Sequence, residues 1–143
     1  MKLIDTNVFI NAWDEAMEFN AWAEKAIADA VRTDDACVSP VIVAELCAGV
    51  RAKKPEQILT DISSLGIEFA DLPIGVAGLC GAAYRTYLDR RKAQTDKDGP
   101  RMPMPDFFIG AHAELMAYEL VTLDKGRFDT YFPSVKRITP LSK

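Results

Sequence analysis

Histidine is almost missing from this chain of 143 residues, with His112 its single representative. A nuclease that uses two histidines as acid and base on a ribose 2′-hydroxyl is therefore excluded, as is a three-histidine zinc centre. A Ser-His-Asp or Cys-His site would rest on that one residue. His112 stands one turn from Phe108, Ile109, Leu115 and Met116 and reads as a core side chain. Cysteine is scarce too. Cys37, Cys47 and Cys80 lie in apolar stretches without CxxC spacing, so no disulfide framework or zinc knuckle is expected and a reducing, cytoplasmic setting is. No run of about 18 apolar residues is present to span a membrane, and an acid at position five speaks against a signal peptide. A basic excess is missing as well: 17 Lys and Arg against 21 Asp and Glu leave a net charge of −4. Apolar residues are plentiful at 49%, which excludes disorder and suffices for one core at this length.

Local patterns alternate between strand and helix. Lys2-Leu3-Ile4-Asp5 reads as a strand ended by Asp-Thr-Asn, and residues 8–32 read as one helix. Ala36-Cys37-Val38 is a second strand. Ser39 as cap and Pro40 as first residue open a helix through Val41–Val50. A further helix over 56–64 ends at Gly66, and 67–69 form a third strand. From Pro73 to Ala93, Val76, Leu79, Cys80, Ala83, Tyr84, Tyr87 and Leu88 recur at helical spacing. Residues 94–105 hold three prolines and a glycine among charges and read as irregular. Phe107–Tyr118 reads as a buried helix, Leu120–Leu123 as a strand, Asp124-Lys125-Gly126 as a turn, and 136–139 as a last short strand. Such alternation predicts an α/β fold, a single domain over 1–143 with a short, mostly parallel sheet of four to five strands flanked by helices. Trp13, Trp22 and Tyr84 read as core or interface residues.

With histidine set aside, carboxylates are the expected source of any chemistry, and four of them stand apart. Asp5 ends the first strand, and ligands of open parallel sheets bind beyond the strand C-termini; the ordinary alternative is a helix cap. Glu45 lies mid-helix with Val41, Ile42, Ala48 and Gly49 three and four residues away. A carboxylate in such company faces a polar site or a buried salt bridge, because an unpaired one is costly. Asp106 heads the buried helix, where a cap role or the macrodipole accounts for an acid, and Gly110 one turn on leaves room beside it. Asp124 follows the fourth strand, on the same edge as Asp5, and a turn aspartate is its ordinary alternative. Together the four place hard oxygen ligands at one crevice, which suits Mg²⁺ or Mn²⁺. A metal so held lowers the pKa of its water and neutralises charge on a phosphodiester.

Leu3-Ile4-Asp5-Thr6-Asn7-Val8-Phe9, Val43-Ala44-Glu45-Leu46, Pro105-Asp106-Phe107-Phe108-Ile109-Gly110-Ala111-His112-Ala113 and Leu120-Val121-Thr122-Leu123-Asp124 resemble the PIN-domain motifs, in that family's order and spacing. Length and the ending Arg127-Phe128-Asp129-Thr130-Tyr131-Phe132-Pro133 resemble the VapC-type toxins of bacterial toxin–antitoxin pairs. The resemblance implies a metal-dependent endoribonuclease that hydrolyses RNA with a metal-activated water, using Mg²⁺ or Mn²⁺. It implies that Asp5, Glu45, Asp106 and Asp124 are the acidic cluster and metal ligands, with Thr6, Asn7 and Thr122 as supporting polar positions. It further implies a homodimer, a cognate antitoxin and a structured RNA target of the tRNA or rRNA class.

RNA needs counter-charge, and the chain distributes it unevenly. Residues 1–36 hold 3 bases against 8 acids, whereas residues 85–101 hold 6 bases against 3 acids. Arg90 and Arg91 in the basic stretch are candidate RNA contacts, with a solvated helix face as the alternative. Lys125 and Arg127 are further candidates because they flank the proposed site. Two rival readings stay open: a catalytically silent PIN module that binds RNA or protein, and an aspartyl-phosphate protein. Asn7 stands where the phosphatase type wants a second aspartate, and the opening strand lacks the adjacent acids of a receiver.

Overall fold

Five short strands, β1 (Lys2–Ile4), β2 (Ala36–Val38), β3 (Glu68–Phe69), β4 (Glu119–Val121) and β5 (Arg137–Ile138), pair in parallel throughout. Their order is β3-β2-β1-β4-β5. The computed structural model describes residues 1–94, 101–124 and 126–140. Seven helices among those residues cover the sheet: α1 (Thr6–Ala12), α2 (Asn20–Arg32), α3 (Pro40–Gly49), α4 (Pro55–Ser64), α5 (Ile74–Ala93), α6 (Met104–Met116) and α7 (Arg127–Tyr131). Leu3 and Ile4 of the central strand are fully buried, as are Cys37, Val38 and Leu120 of its neighbours. A strand apolar on both faces is what a sheet covered on both sides requires. From β1 the chain moves outward to β2 and β3, then returns to the other side of β1 with β4. The direction therefore switches between β1 and β4, and the crevice beyond their carboxyl ends is the expected ligand position.

Several boundaries differ from the sequence reading. The helix expected over 8–32 is two helices, α1 and α2. Asn20 Nδ2 donates to the carbonyls of Asn11 (2.8 Å) and Ala12 (3.2 Å), satisfying groups that would otherwise require the helix to continue. Asp14 Oδ1 accepts from the Ala16 N–H at 3.0 Å and holds the intervening turn. Of the residues 94–105 read as irregular, 95–100 lie outside the described residues, while Met104 and Pro105 lie in the first turn of α6. Proline is tolerated there because first-turn N–H groups have no intrahelical partner. That helix ends at Met116, where Ala117 turns left-handed (φ 56°) and its N–H reaches back to Ala113. β4 consequently starts one residue earlier than expected. The helix α7 had no counterpart in the sequence reading.

Phe107 fixes α6 against its neighbours. Its ring lies 5.1 and 5.3 Å from those of Tyr84 and Tyr87 on α5, and 5.2 Å from Tyr131 of α7. Gly110 does not leave room beside Asp106, as the sequence suggested. The Phe132 ring fills the space, and a Cβ at Gly110 would stand 2.3 Å from its Cδ2. His112 is fully buried, with its ring 5.4 Å from Tyr118. All three cysteines are free. Among the described residues no helix is long and apolar enough to cross a membrane.

Candidate functional site

Asp5 is placed by β1 and α1 together. Ile4 pairs with Val121, so the next residue on each strand, Asp5 and Thr122, meet at the crevice. Asp5 is 5% exposed and does cap α1, its Oδ1 accepting the Thr6 N–H at 2.8 Å. The cap uses one oxygen only. Oδ2 accepts from the Thr122 hydroxyl at 2.7 Å, and that hydroxyl in turn accepts the Asp124 N–H at 3.0 Å. Burial pushes the Asp5 pKa up to about 6 against the two hydrogen bonds, and the charges of Asp106 and Glu45 push it the same way.

Glu45 projects from α3, held by the Ser39 cap and Pro40. It is half-buried. Its Oε1 accepts from the Thr6 hydroxyl at 2.8 Å, so Thr6 joins α1 to α3 across the crevice. The apolar neighbours that suggested burial do not enclose it: Ala48 and Gly49 are exposed. The side chain borders an open edge, and it makes no ion pair among the described residues.

Asp106 is not a cap. Pro103 holds the N-cap position of α6 without a side-chain bond, and Asp106 lies within the first turn, where the macrodipole favours its charge. It is 9% exposed. Arg127 Nη2 approaches its Oδ2 to 2.8 Å, close enough for an ion pair, and among the described residues this buried oxygen has no hydrogen-bond donor. Burial raises the Asp106 pKa; the Arg127 charge opposes that, while Glu45 and Asp124 reinforce it.

Asp124 is the most committed of the four. Its Oδ2 accepts the N–H groups of Gly126 (2.9 Å) and Phe128 (3.3 Å), and its Oδ1 accepts Arg127 Nε–H at 2.9 Å. Gly126 takes φ 139° to make this turn, a conformation that costs an L side chain and not glycine. Burial works to raise the Asp124 pKa, but the three donors outweigh it and the net shift is downward. Arg137 braces the assembly from β5, donating to the Asp124 carbonyl at 2.9 Å and binding both oxygens of Asp129. Neither Arg137 nor the Arg127 bridge was foreseen. The Arg127–Asp124 pair is local, three residues apart, but the reach of Arg127 to Asp106 depends on packing of α7 on α6, and that of Arg137 to the Asp124 carbonyl on the pairing of β4 with β5.

The four acids act on one another electrostatically: Asp5 feels Asp106 and Glu45, and Asp106 feels Glu45 and Asp124. As placed, no three acids among the described residues stand close enough to hold one ion, and a guanidinium bridges two of them. The donor set nevertheless suits a hard divalent cation. Every candidate ligand is a carboxylate oxygen, and Asp106 Oδ2 is buried with no donor of its own. Asn7 is exposed at the start of α1. Arg90 lies over the Tyr131 ring at 5.4 Å and Arg91 over Tyr87 at 5.9 Å. Lys125 lies outside the described residues.

One consequence concerns stability and pH. The folded chain holds the Asp5 proton more tightly than the unfolded chain, whose carboxyl titrates near 3.8. The cost of burying the charge is therefore absent below that pH and complete above about 6. Asp5→Asn removes it. In chelator the thermal stability of the variant is expected to match wild type near pH 3 and exceed it at pH 7.5, by up to about 3 kcal/mol. Thermal denaturation of both proteins across that range checks the sign; a difference that is flat or falls with pH contradicts a raised Asp5 pKa.

Comparison with known proteins adds the following. The PIN domain family matches residues 2–132. Search of the curated proteins finds no match. Among solved structures the chain is similar to FitAcB from Neisseria gonorrhoeae, at 21% identity and TM-score 0.66 over 100% of both chains. It is also similar to VapBC2 from Rickettsia felis bound to a promoter DNA fragment, at 21% identity and TM-score 0.65 over 96% of this chain and 97% of that one. A third is Mycobacterium tuberculosis VapC20, described as a sarcin-ricin loop cleaving toxin, at 12% identity and TM-score 0.60 over 91% and 94%. At these identities the likeness is one of fold.

Proposed function

The chain belongs to the PIN domain family, and from that premise we propose that it is a metal-dependent endoribonuclease, the toxin of a bacterial toxin–antitoxin pair. The observation that carries the reading is that Asp5, Glu45 and Asp106, from three separate elements, carry charges that act on one another beyond the switch point of the sheet, although as placed they do not close on one ion. These three would hold Mg²⁺ or Mn²⁺. Asp124 stands at the edge, its oxygens already engaged by three donors. When bound, the cation supplies an activated water and neutralises phosphodiester charge.

The protein's own part is orientation. Thr122 and the Thr6 N–H fix the two oxygens of Asp5, and the Thr6 hydroxyl fixes Glu45. The one histidine is buried against Tyr118, which agrees with a reaction that does not use the ribose 2′-hydroxyl. In this reading water is the nucleophile, and the products would carry 5′-phosphate and 3′-hydroxyl ends. Arg90, Arg91, Lys125 and Arg127 are the proposed contacts to RNA phosphates, in a structured target of the tRNA or rRNA class. That two of the relatives are VapBC and FitAcB assemblies supports an antitoxin partner. A largely apolar groove lined by Ala12, Trp13, Ile27, Val31 and Leu65, with Glu24 and Arg32 also in its lining, is a suitable seat for one. A homodimer and a cytoplasmic location complete the reading.

The guanidinium bridging the acids favours one other reading, a catalytically silent PIN module. Incubating purified protein with total RNA separates the two. Cleavage is expected with Mg²⁺ or Mn²⁺ and none with chelator. Absence of cleavage with either metal overturns the nuclease reading, and cleavage that survives chelation overturns its metal dependence.

A further inference from the structure

Among the described residues, Arg127 is the one cation whose side chain spans two acids of the crevice. Its Nε–H donates to Asp124 Oδ1 at 2.9 Å, and its Nη2 stands 2.8 Å from Asp106 Oδ2. The two carboxylates come from different elements, α6 and the turn before α7. The acid side chains are 7% and 12% exposed, against 46% for Arg127. The guanidinium thus lies on the solvent side and covers charges that burial would otherwise leave bare.

Its two ends are held unequally. Toward Asp124 the contact is a hydrogen bond within a turn that two backbone N–H groups also brace. Toward Asp106 it is an ion pair at 2.8 Å, and among the described residues no backbone N–H braces that oxygen. The Asp106 end is the one a competing cation can take.

We propose that Arg127 is a built-in counter-ion of the acidic crevice, which a divalent cation must displace from Asp106 before the site is competent. The inference rests on the metal reading above and adds the regulation of that site. Without metal the guanidinium closes the crevice. With metal Asp106 turns to the ion, and the freed fork of N–H donors matches the geometry of a phosphate. Arg127 then reaches RNA only after the ion is in place, so one side chain orders the two binding events.

The test is Mn²⁺ binding to the full chain, read from the free-ion electron paramagnetic resonance signal without any substrate. Arg127→Gln is expected to bind Mn²⁺ about tenfold more tightly than wild type, because the internal competitor is gone. Asp106→Asn is expected to bind more weakly than wild type. Equal or weaker binding by Arg127→Gln, with wild type and Asp106→Asn behaving as stated, overturns the inference and leaves the metal reading standing. No binding by any of the three overturns the metal reading and the inference with it. A second measurement needs no charge-removing variant. The Arg127 Nε–Hε resonance of the wild-type protein, assigned by its loss in Arg127→Lys, is expected to shift on titration with Mg²⁺. A resonance unmoved at saturating Mg²⁺ overturns the displacement.

Discussion

Asp5→Asn is expected to lower metal-dependent RNA cleavage by about 10³-fold, the factor that roughly 4 kcal/mol of lost transition-state stabilisation gives. The fold should stand. An amide can still accept the Thr6 N–H, and the Thr122 hydroxyl can rotate to accept from the amide nitrogen, so the two bonds that seat Asp5 both have replacements. What is lost is a negative charge at the deepest point of the crevice. Because that charge is buried beside Asp106 and Glu45, its removal relieves repulsion in the metal-free protein. The variant therefore combines equal or higher thermal stability in chelator with the loss of activity. Initial rates on one RNA substrate, with thermal denaturation of the same samples, check both halves. A variant within tenfold of wild-type rate removes Asp5 from the site, whatever its stability.

Gly110→Ala has the second large effect, on stability. An alanine inside a helix ordinarily gains about 1 kcal/mol over glycine. Here the added methyl would lie 2.3 and 2.4 Å from Cδ2 and Cε2 of Phe132, well inside contact distance. Phe132 is 1% exposed and packs edge-on to Phe107, so its ring has nowhere to retreat. Overpacking is expected to reverse the helix gain and leave a net loss of about 2 kcal/mol or more, or a melting temperature lower by roughly 5 °C or more. The damage reaches the crevice, since α6 carries Asp106 and α7 carries Arg127. Phe132→Leu in the same chain should recover part of the loss, and a double-mutant cycle measures the coupling. A Gly110→Ala protein more stable than wild type would contradict this packing.

Local features of the sequence showed most of what positions the site. The short run Leu3-Ile4 ending in Asp5 is local, and so is Ser39-Pro40 opening the helix of Glu45. Both were placed correctly, because a cap or a strand end depends on a few adjacent residues. The parallel alternation followed from the same signals. Asp106 was placed near a helix start, but Pro103 and Pro105 obscured which residue begins the helix. The break inside residues 8–32 is not legible because no proline or glycine marks it and an alanine-rich stretch follows it. It depends on Asn20 reaching back eight and nine residues to carbonyls of α1. The least legible part is the charge geometry. Arg127 and Asp106 are 21 positions apart in the numbering, and only the packing of Phe107 against Tyr131 and Phe132 brings their helices together. Gly110 was read as space beside an acid for the same reason, since nothing nearby announces the ring that fills it.

The excess of acid over base keeps a local meaning in this setting. A crevice of four carboxylates with one bridging arginine repels RNA until more positive charge arrives, and a hard divalent cation is the charge these oxygens suit. The most direct test of that claim is the chemistry of the product ends. RNA cleaved by wild-type protein in Mg²⁺ or Mn²⁺ should carry 5′-phosphate and 3′-hydroxyl termini, and none should form in chelator. Termini of the 2′,3′-cyclic phosphate type, or cleavage that proceeds in chelator, would contradict hydrolysis by a metal-activated water.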